Sequence, residues 1–291
     1  MPGQLTRSAI ALQPEWLRQV PERVGRKRLP PDARVLFTGC GTSFHAALAC
    51  GRAAHALELV LGNAPEADVL VAISHEGGTA LTREAVEAFE GETWLVTGAS
   101  ESPLAGIVDQ VVIATPELEK SYCHTASYTC AIAVGRALQG EDLSGLAEAV
   151  ERELAAAPLG ASEHERLLVA GAGNDTANVL EAVLKLREGA HVAAEAHHTE
   201  QLLHGHLAAI DSTVRCFLLE GQGRAAERAR DVQRALGELG CEVTFLPTSH
   251  PVVDIVRFQR LTVDLADARN IDPDLIRWDE EPWDRARKSY A

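Results

Sequence analysis

The stretch Arg34-Val-Leu-Phe-Thr-Gly39-Cys-Gly41 decides the fold, because the chain writes it twice. The second copy is Arg166-Leu-Leu-Val-Ala-Gly171-Ala-Gly173. Each copy is a short apolar run ending in a Gly-x-Gly turn. Each leads into an Ala-rich helical pattern, at 45–57 in the first and 176–197 in the second. A second apolar run follows in each half, at 69–73 and 214–219. It closes on a Gly-containing turn, Glu76-Gly-Gly-Thr79 or Glu220-Gly-Gln-Gly223, and opens a helix at 80–89 or 225–239. Third strands are expected at 93–97 and 242–246. Apolar strands alternating with helices of this length mean βαβ units and a parallel sheet. The runs are continuous rather than alternating, as strands covered on both faces require.

The expected architecture is therefore α/β: two doubly wound, three-layer α/β/α domains with mainly parallel sheets. A lead-in segment occupies 1–30, with a helix at 13–24 and Pro14 near its start. The first domain spans 31–145 and the second 160–291, joined by a helix and linker. The charged tail from Pro273, carrying Trp278 and Trp283, packs on a neighbouring element.

Composition narrows the function. The 291 residues carry 27 Lys+Arg against 42 Asp+Glu, a formal charge of −15. Such a surface repels phosphate backbones and anionic lipid, so neither nucleic acid nor membrane is an expected partner. Apolar residues make up 46%, enough for a real core. No apolar run is long enough for a transmembrane helix, and no secretory signal is visible. The six cysteines contain no C-x-x-C pair, so reduced thiols and a cytoplasmic setting are expected.

In open parallel sheets, ligands bind outside the carboxyl ends of the strands. The strand-to-helix turns are thus the first candidates. Cys40, Gly41, Thr42 and Ser43 form one. Ser74, His75, Glu76, Gly77 and Thr79 form the next. Both offer hydroxyls beside a helix N-terminus, which favours an anion. The plainer reading of Thr42, Ser43 and Thr79 is ordinary N-caps. The dinucleotide fingerprint fails in both copies, because Phe44 and Thr176 stand where a third glycine belongs, and no P-loop is present.

A helix read over 174–198 places Glu181, Lys185, Glu188 and Glu195 on one face by spacings of 4, 3 and 7. The stripe reads either as a solvated salt-bridge ladder or as a carboxylate–ammonium–carboxylate line in a cleft. In the second case Glu188, flanked by Val183, Leu184 and Leu186, would be a proton-transfer base. His197, His198, His204 and His206 follow, but without metal-ligand spacing. A pocket or catalytic histidine is expected there, with no metal and no cofactor.

At these residues the chain resembles the sugar isomerase (SIS) family. The matching stretches are Leu180-Glu-Ala-Val-Leu-Lys185-Leu-Arg-Glu188, Ala194-Glu195, Leu203-His204-Gly205 and Leu207-Ala-Ala-Ile-Asp211. The turns at Gly39–Ser43 and Ser74–Thr79 resemble the family's two sugar-phosphate loops. The similarity covers nearly the whole chain and is strongest to the isomerase half of glucosamine-6-phosphate synthase and to aminosugar-phosphate deaminases. It implies an isomerase or deaminase that moves a proton between C1 and C2 of an aldose or ketose, in a homodimer with a shared active site. Glu188 would shuttle the proton. His204, supplied by the partner subunit, would help open the ring. Lys185 and Glu181 would position substrate or base, and Thr42, Ser43, Ser74 and Thr79 would surround the phosphate. A sugar-binding sensor without turnover, and a deglycase acting on a glycated amine, are the alternatives.

Several positions depart from the family pattern. His75-Glu76 replaces Gln-Ser in the second loop. A carboxylate about 4 Å from a phosphate charge costs about 4 kcal/mol at an effective dielectric near 20. The helix N-terminus offsets about 1–2 kcal/mol of that. Glu76 must then point away, meet an unphosphorylated ligand, or contact hydroxyls or an amine. His124-Thr125-Ala126 replaces Ser-Thr-Lys, which places His124 among the substrate residues. The region Asn270-Ile-Asp272-Pro-Asp274 lacks the lysine with which the synthase forms a Schiff base. With no glutaminase domain either, glutamine-dependent amination is not expected.

Overall fold

The computed structural model describes residues 2–161 and 163–289. Two parallel sheets organise them. The chain enters through helices α1 (Gln4–Arg18) and α2 (Val20–Val24). It then winds β1 (Val35–Gly39), α3 (Thr42–Cys50), β2 (Ala53–His55), α4 (Ala56–Val60), β3 (Val69–Ile73), α5 (Ala80–Glu87), β4 (Glu92–Thr97), β5 (Gln110–Ile113) and α6 (Ala126–Leu138). Helix α7 (Leu146–Ala155) crosses over. The second winding is β6 (Arg166–Gly171), α8 (Thr176–Ala190), β7 (Ala193–His198), α9 (Thr199–Leu203), β8 (Val214–Leu219), α10 (Arg224–Glu238) and β9 (Glu242–Leu246). Helices α11 (Pro251–Asp254), α12 (Val256–Ala268) and α13 (Glu281–Lys288) complete the chain. Strand order is β2-β1-β3-β4-β5 in one sheet and β7-β6-β8-β9 in the other, so the second follows the same winding as the first four strands.

Alternate residues of each strand go to opposite faces. In the first sheet Leu36, Leu70, Ala72 and Leu95 pack outward with Val86 of α5. Phe37, Val71, Ile73, Trp94 and Val96 pack inward. In the second sheet Leu168, Ala170, Cys216 and Leu218 pack outward with Val232 and Leu236 of α10. Val169, Phe217 and Leu219 join the same inner cluster as Phe37 and Val71. One continuous apolar core thus lies between the sheets, built largely on α3, α6, α8 and α12.

Three expected elements come out differently. The helix read over 174–198 stops at Ala190, where His191 turns left-handed at φ 51°. Residues 193–198 become the edge strand β7, paired with β6 in the register Leu168↔Glu195. Pairing with a buried neighbour overrides the helical preference of an Ala-rich stretch. Glu195 therefore leaves the helical stripe and bonds Arg166 (3.2 Å) and His197 (3.2 Å) instead. The helix read over 45–57 stops at Cys50 and yields the short edge strand β2. The lead-in helix begins at Gln4, and Pro14 lies inside it. Pro14 has no N–H for the Ile10 carbonyl, and the Gln13 Nε2 amide donates to that oxygen instead, at 3.0 Å. The tail docks on the same helix. Asp272 and Asp274 accept from the N–H groups of Gly3, Leu5 and Thr6, supplying the N-terminal cap that Gly3 cannot. Among the described residues no helix is long and apolar enough to cross a membrane.

Candidate functional site

The inner core opens into a cavity at the carboxyl ends of β1, β3 and β4. Thr42 and Ser43, Ile73 and His75, Thr97 and Gly98 line it from the strand ends, with His124, Ser127 and Tyr128 opposite. The empty space there is ≈ 360 Å³, part of it open to solvent. Two glycines shape the turns that flank it. Gly41 turns at φ 55° to start α3. Gly77 sits at φ 66°, and a Cβ there would fall 2.1 Å from Ser102 Oγ. Only glycine meets both demands at Gly77.

Helix α8, from the second sheet, packs on α3 and meets the cavity wall through Thr42. Glu181, wholly buried, accepts from Thr42 Oγ1 (3.3 Å) and pairs with His45 Nδ1 (2.7 Å). One turn on, the Lys185 ammonium lies 3.5 Å from Glu181 Oε1 and 2.6 Å from Glu188 Oε2. Lys185 is 1% exposed, whereas the Glu188 side chain keeps 27% of its surface open. Burial by itself would depress the Lys185 pKa. The carboxylates of Glu188 and Glu181 overcome that and hold it above its ordinary value. Cys123 stands near the same group, its thiol pushed up to about 12 by burial.

Behind the cavity lies a carboxylate that spacing alone did not single out. Glu119, 7% exposed, accepts from the N–H and hydroxyl of Thr125 (2.8 and 2.9 Å) and of Ser127 (2.8 and 2.6 Å). It satisfies the N-terminal donors of α6 from outside the helix. Its own N–H donates to His75 Nε2 at 3.0 Å, which fixes that nitrogen as an acceptor. The His75 ring meets His124 edge-on, centroids 5.0 Å apart. Burial lowers the pKa of both rings, that of His124 to about 4 against the pull of Glu119. His124 Nδ1 is buried without a partner, as is Thr115 Oγ1.

The sequence-derived candidates separate into groups. Thr42, Ser43, His75 and His124 line the cavity, and Thr42 joins it to the Glu181–Lys185–Glu188 row. Ser74 is buried beside it, its N–H bonded to the Val96 carbonyl at 3.1 Å. Cys40 faces Thr82 Oγ1 at 3.6 Å rather than the cavity. Glu76 and Thr79 are exposed, Thr79 at the start of α5 with no side-chain capping bond. Glu76 does not line the cavity. His204 ends α9, largely exposed, and pairs with Glu200 at 2.9 Å. No hydrogen bond or ion pair joins it to Glu188 within the described residues. Residues that sequence reasoning missed are His45, Glu119, Ser127 and Tyr128. Their roles arise from contacts across loops and between the two windings, which leave no local pattern.

Known proteins share this fold. No family model matches the chain. It is 29% identical, over 84% of its length, to the glutamine–fructose-6-phosphate aminotransferase (isomerizing) of Aeropyrum pernix, and spans about half the length of that relative. Its fold superposes on glucosamine-6-phosphate deaminase from Thermotoga maritima with a TM-score of 0.78 at 22% identity, covering 94% of this chain and 97% of the other. The C-terminal domain of glucosamine-fructose-6-phosphate aminotransferase from Francisella tularensis gives 0.76 at 19% identity, with 93% and 98% covered. The likeness in fold therefore runs through phosphosugar enzymes of more than one kind. A further structure, tagatose-6-phosphate ketose/aldose isomerase from Escherichia coli, gives 0.75 at 16% identity over 94% and 97%.

Proposed function

We propose that this chain is a sugar-phosphate isomerase or aminosugar-phosphate deaminase, built of two SIS units at 31–145 and 160–291, that moves a proton between C1 and C2. One observation carries the reading: Lys185, buried between two carboxylates, holds the partly exposed Glu188 in a row that Thr42 ties to the cavity. A buried ion pair adds little net stability compared with an apolar replacement, so its retention supports a working role. Glu188 takes the proton from one carbon, leaving an enediolate, and returns it to the other, while the hydroxyl proton passes between O1 and O2 by way of water. Lys185 and Glu181 are positioning residues that fix the base. Thr42, Ser43 and the N-terminus of α5 receive the phosphate. His204, exposed and remote from the row, serves the ring from a second copy in a homodimer. Asp272 and Asp274, in the segment that lacks the synthase's lysine, are committed to capping α1. That use favours chemistry without a Schiff base and disfavours glutamine-dependent amination. A cytoplasmic setting accords with free thiols.

The test is proton NMR in D₂O with fructose 6-phosphate and glucosamine 6-phosphate. Exchange at C1 or C2 by the wild type and its loss in Glu188→Gln, with sugar binding intact, is the expected result. Ammonia release selects the deaminase. Strong residual exchange in the variant removes Glu188 as the base. Binding without exchange in the wild type makes the protein a sugar-holding module.

A further inference from the structure

The two sites where this chain departs from the family's loops, His75 and His124, lie far apart in sequence yet touch in the fold. Both rings line the cavity, and no lysine or arginine lines it with them. The counter-charge for an anion must come from elsewhere. The α3 and α5 N-termini offer only a fractional positive charge each, and the α6 N-terminus cannot add to it, because the Glu119 carboxylate already takes the N–H groups of Thr125 and Ser127. His75 cannot supply it through Nε2, which accepts from the Glu119 N–H; a proton there would oppose two donors. His124 differs. Its Nδ1 is buried and free of any partner, so a proton placed there breaks no bond.

We propose that a dianionic phosphate binds at this cavity together with one proton, taken from solvent onto His124. This rests on the sugar-phosphate reading above and adds the means by which an acidic chain tolerates the ligand's charge. In the empty site the groups facing His124 balance toward the neutral ring. Burial, His75 and the Lys185 ammonium oppose protonation, while Glu119 and Glu181 favour it. A phosphate adds negative charge on the cavity side and tips that balance. The bound histidinium then donates from Nδ1, the atom the empty site leaves unsatisfied.

The experiment is calorimetry of fructose 6-phosphate binding to the full chain, with fructose as the uncharged control. Titrations run in buffers of different ionisation enthalpy, and between pH 7 and 8, where the sugar phosphate is already a dianion. Affinity for fructose 6-phosphate is expected to fall about three- to tenfold over that unit, with net uptake of a proton, while fructose shows none. His124→Gln is expected to abolish the uptake and flatten the profile. Should that variant fail to fold, nitrogen NMR of wild-type histidines gives the same answer: the His124 ring moves to imidazolium shifts on adding the ligand. An affinity that is flat or rises with pH, or uptake that persists in the variant, overturns the proposal while leaving the sugar-phosphate reading intact. No binding of the phosphorylated sugar at any pH overturns both.

Discussion

Replacing Lys185 by methionine tests the energetics of the central row. The ammonium is 1% exposed and bridges Glu181 at 3.5 Å and Glu188 at 2.6 Å. Its loss leaves the Glu181 carboxylate, which has no exposed surface, with His45 and Thr42 as its remaining partners. Removing one member of a buried pair costs about 3–5 kcal/mol, because the other charge stays buried. His45 retains its contact and the methionine stem fills most of the volume, so the low end, about 3 kcal/mol, is expected. At about 2–3 °C per kcal/mol for a chain of this size, Tm should fall by about 6–9 °C. Scanning calorimetry or urea unfolding measures it. The double variant Lys185→Met/Glu181→Gln removes both charges, and apolar or neutral replacement of a whole pair is commonly close to neutral. It should therefore recover at least half of the loss. Proton exchange at C1 or C2 should not return with it, because Glu188 still lacks the group that holds it. A single variant within about 1 kcal/mol of wild type, or a double variant less stable than the single, refutes the account of Lys185 as a charge held by its neighbours.

Two further outcomes follow from groups outside that row. Burial raises the Asp254 carboxyl to about 6, above its unfolded value, so its contribution to stability is full below about pH 4 and is lost as pH rises through about 6. Asp254→Asn, which keeps an acceptor for the Ser249 N–H, should remove that slope and gain about 3 kcal/mol at pH 7; urea unfolding from pH 4 to 8 decides, and an unchanged slope counts against it. If Glu188 and His204 come from different subunits, mixing inactive Glu188→Gln and His204→Ala should restore about a quarter of wild-type activity, since half the dimers regain one intact site. No restoration places both residues in one chain's site.

The sequence made some of this legible for identifiable reasons. Continuous apolar runs into Gly-x-Gly announce β1 and β6, because a strand covered on both faces must be apolar throughout. Glu181, Lys185 and Glu188 announce one helical face by spacings of 4 and 3, and α8 places them there. Glu195 misled for the same reason: Ala-rich spacing continues past His191, and only pairing with β6 makes residues 193–198 a strand. Glu119 and His45 could not be found this way. Glu119 acts on Thr125 and Ser127 across a loop, and His45 reaches Glu181 from 136 residues away. His75 and His124 were visible singly, as departures from a pattern. Only the fold shows that they are one feature.

That pairing bears on how the site divides its work. The cavity belongs to the first winding and the Glu188 row to the second, and they meet where α3 packs on α8 through Thr42, His45 and Glu181. Neither winding holds both the cavity and the Glu188 row. A substitution that shifts α8 along α3 by even a fraction of a turn would move Glu188 relative to a ligand anchored at Thr42 and Ser43, and misplacement by about 1 Å is enough to cost about two orders of magnitude in rate. The buried ion pairs resist that slide because each of their charges is satisfied only in one register. The Glu181 network therefore works as an alignment device, which explains why wholly buried charges lie at the seam between two apolar layers that would otherwise pack without them.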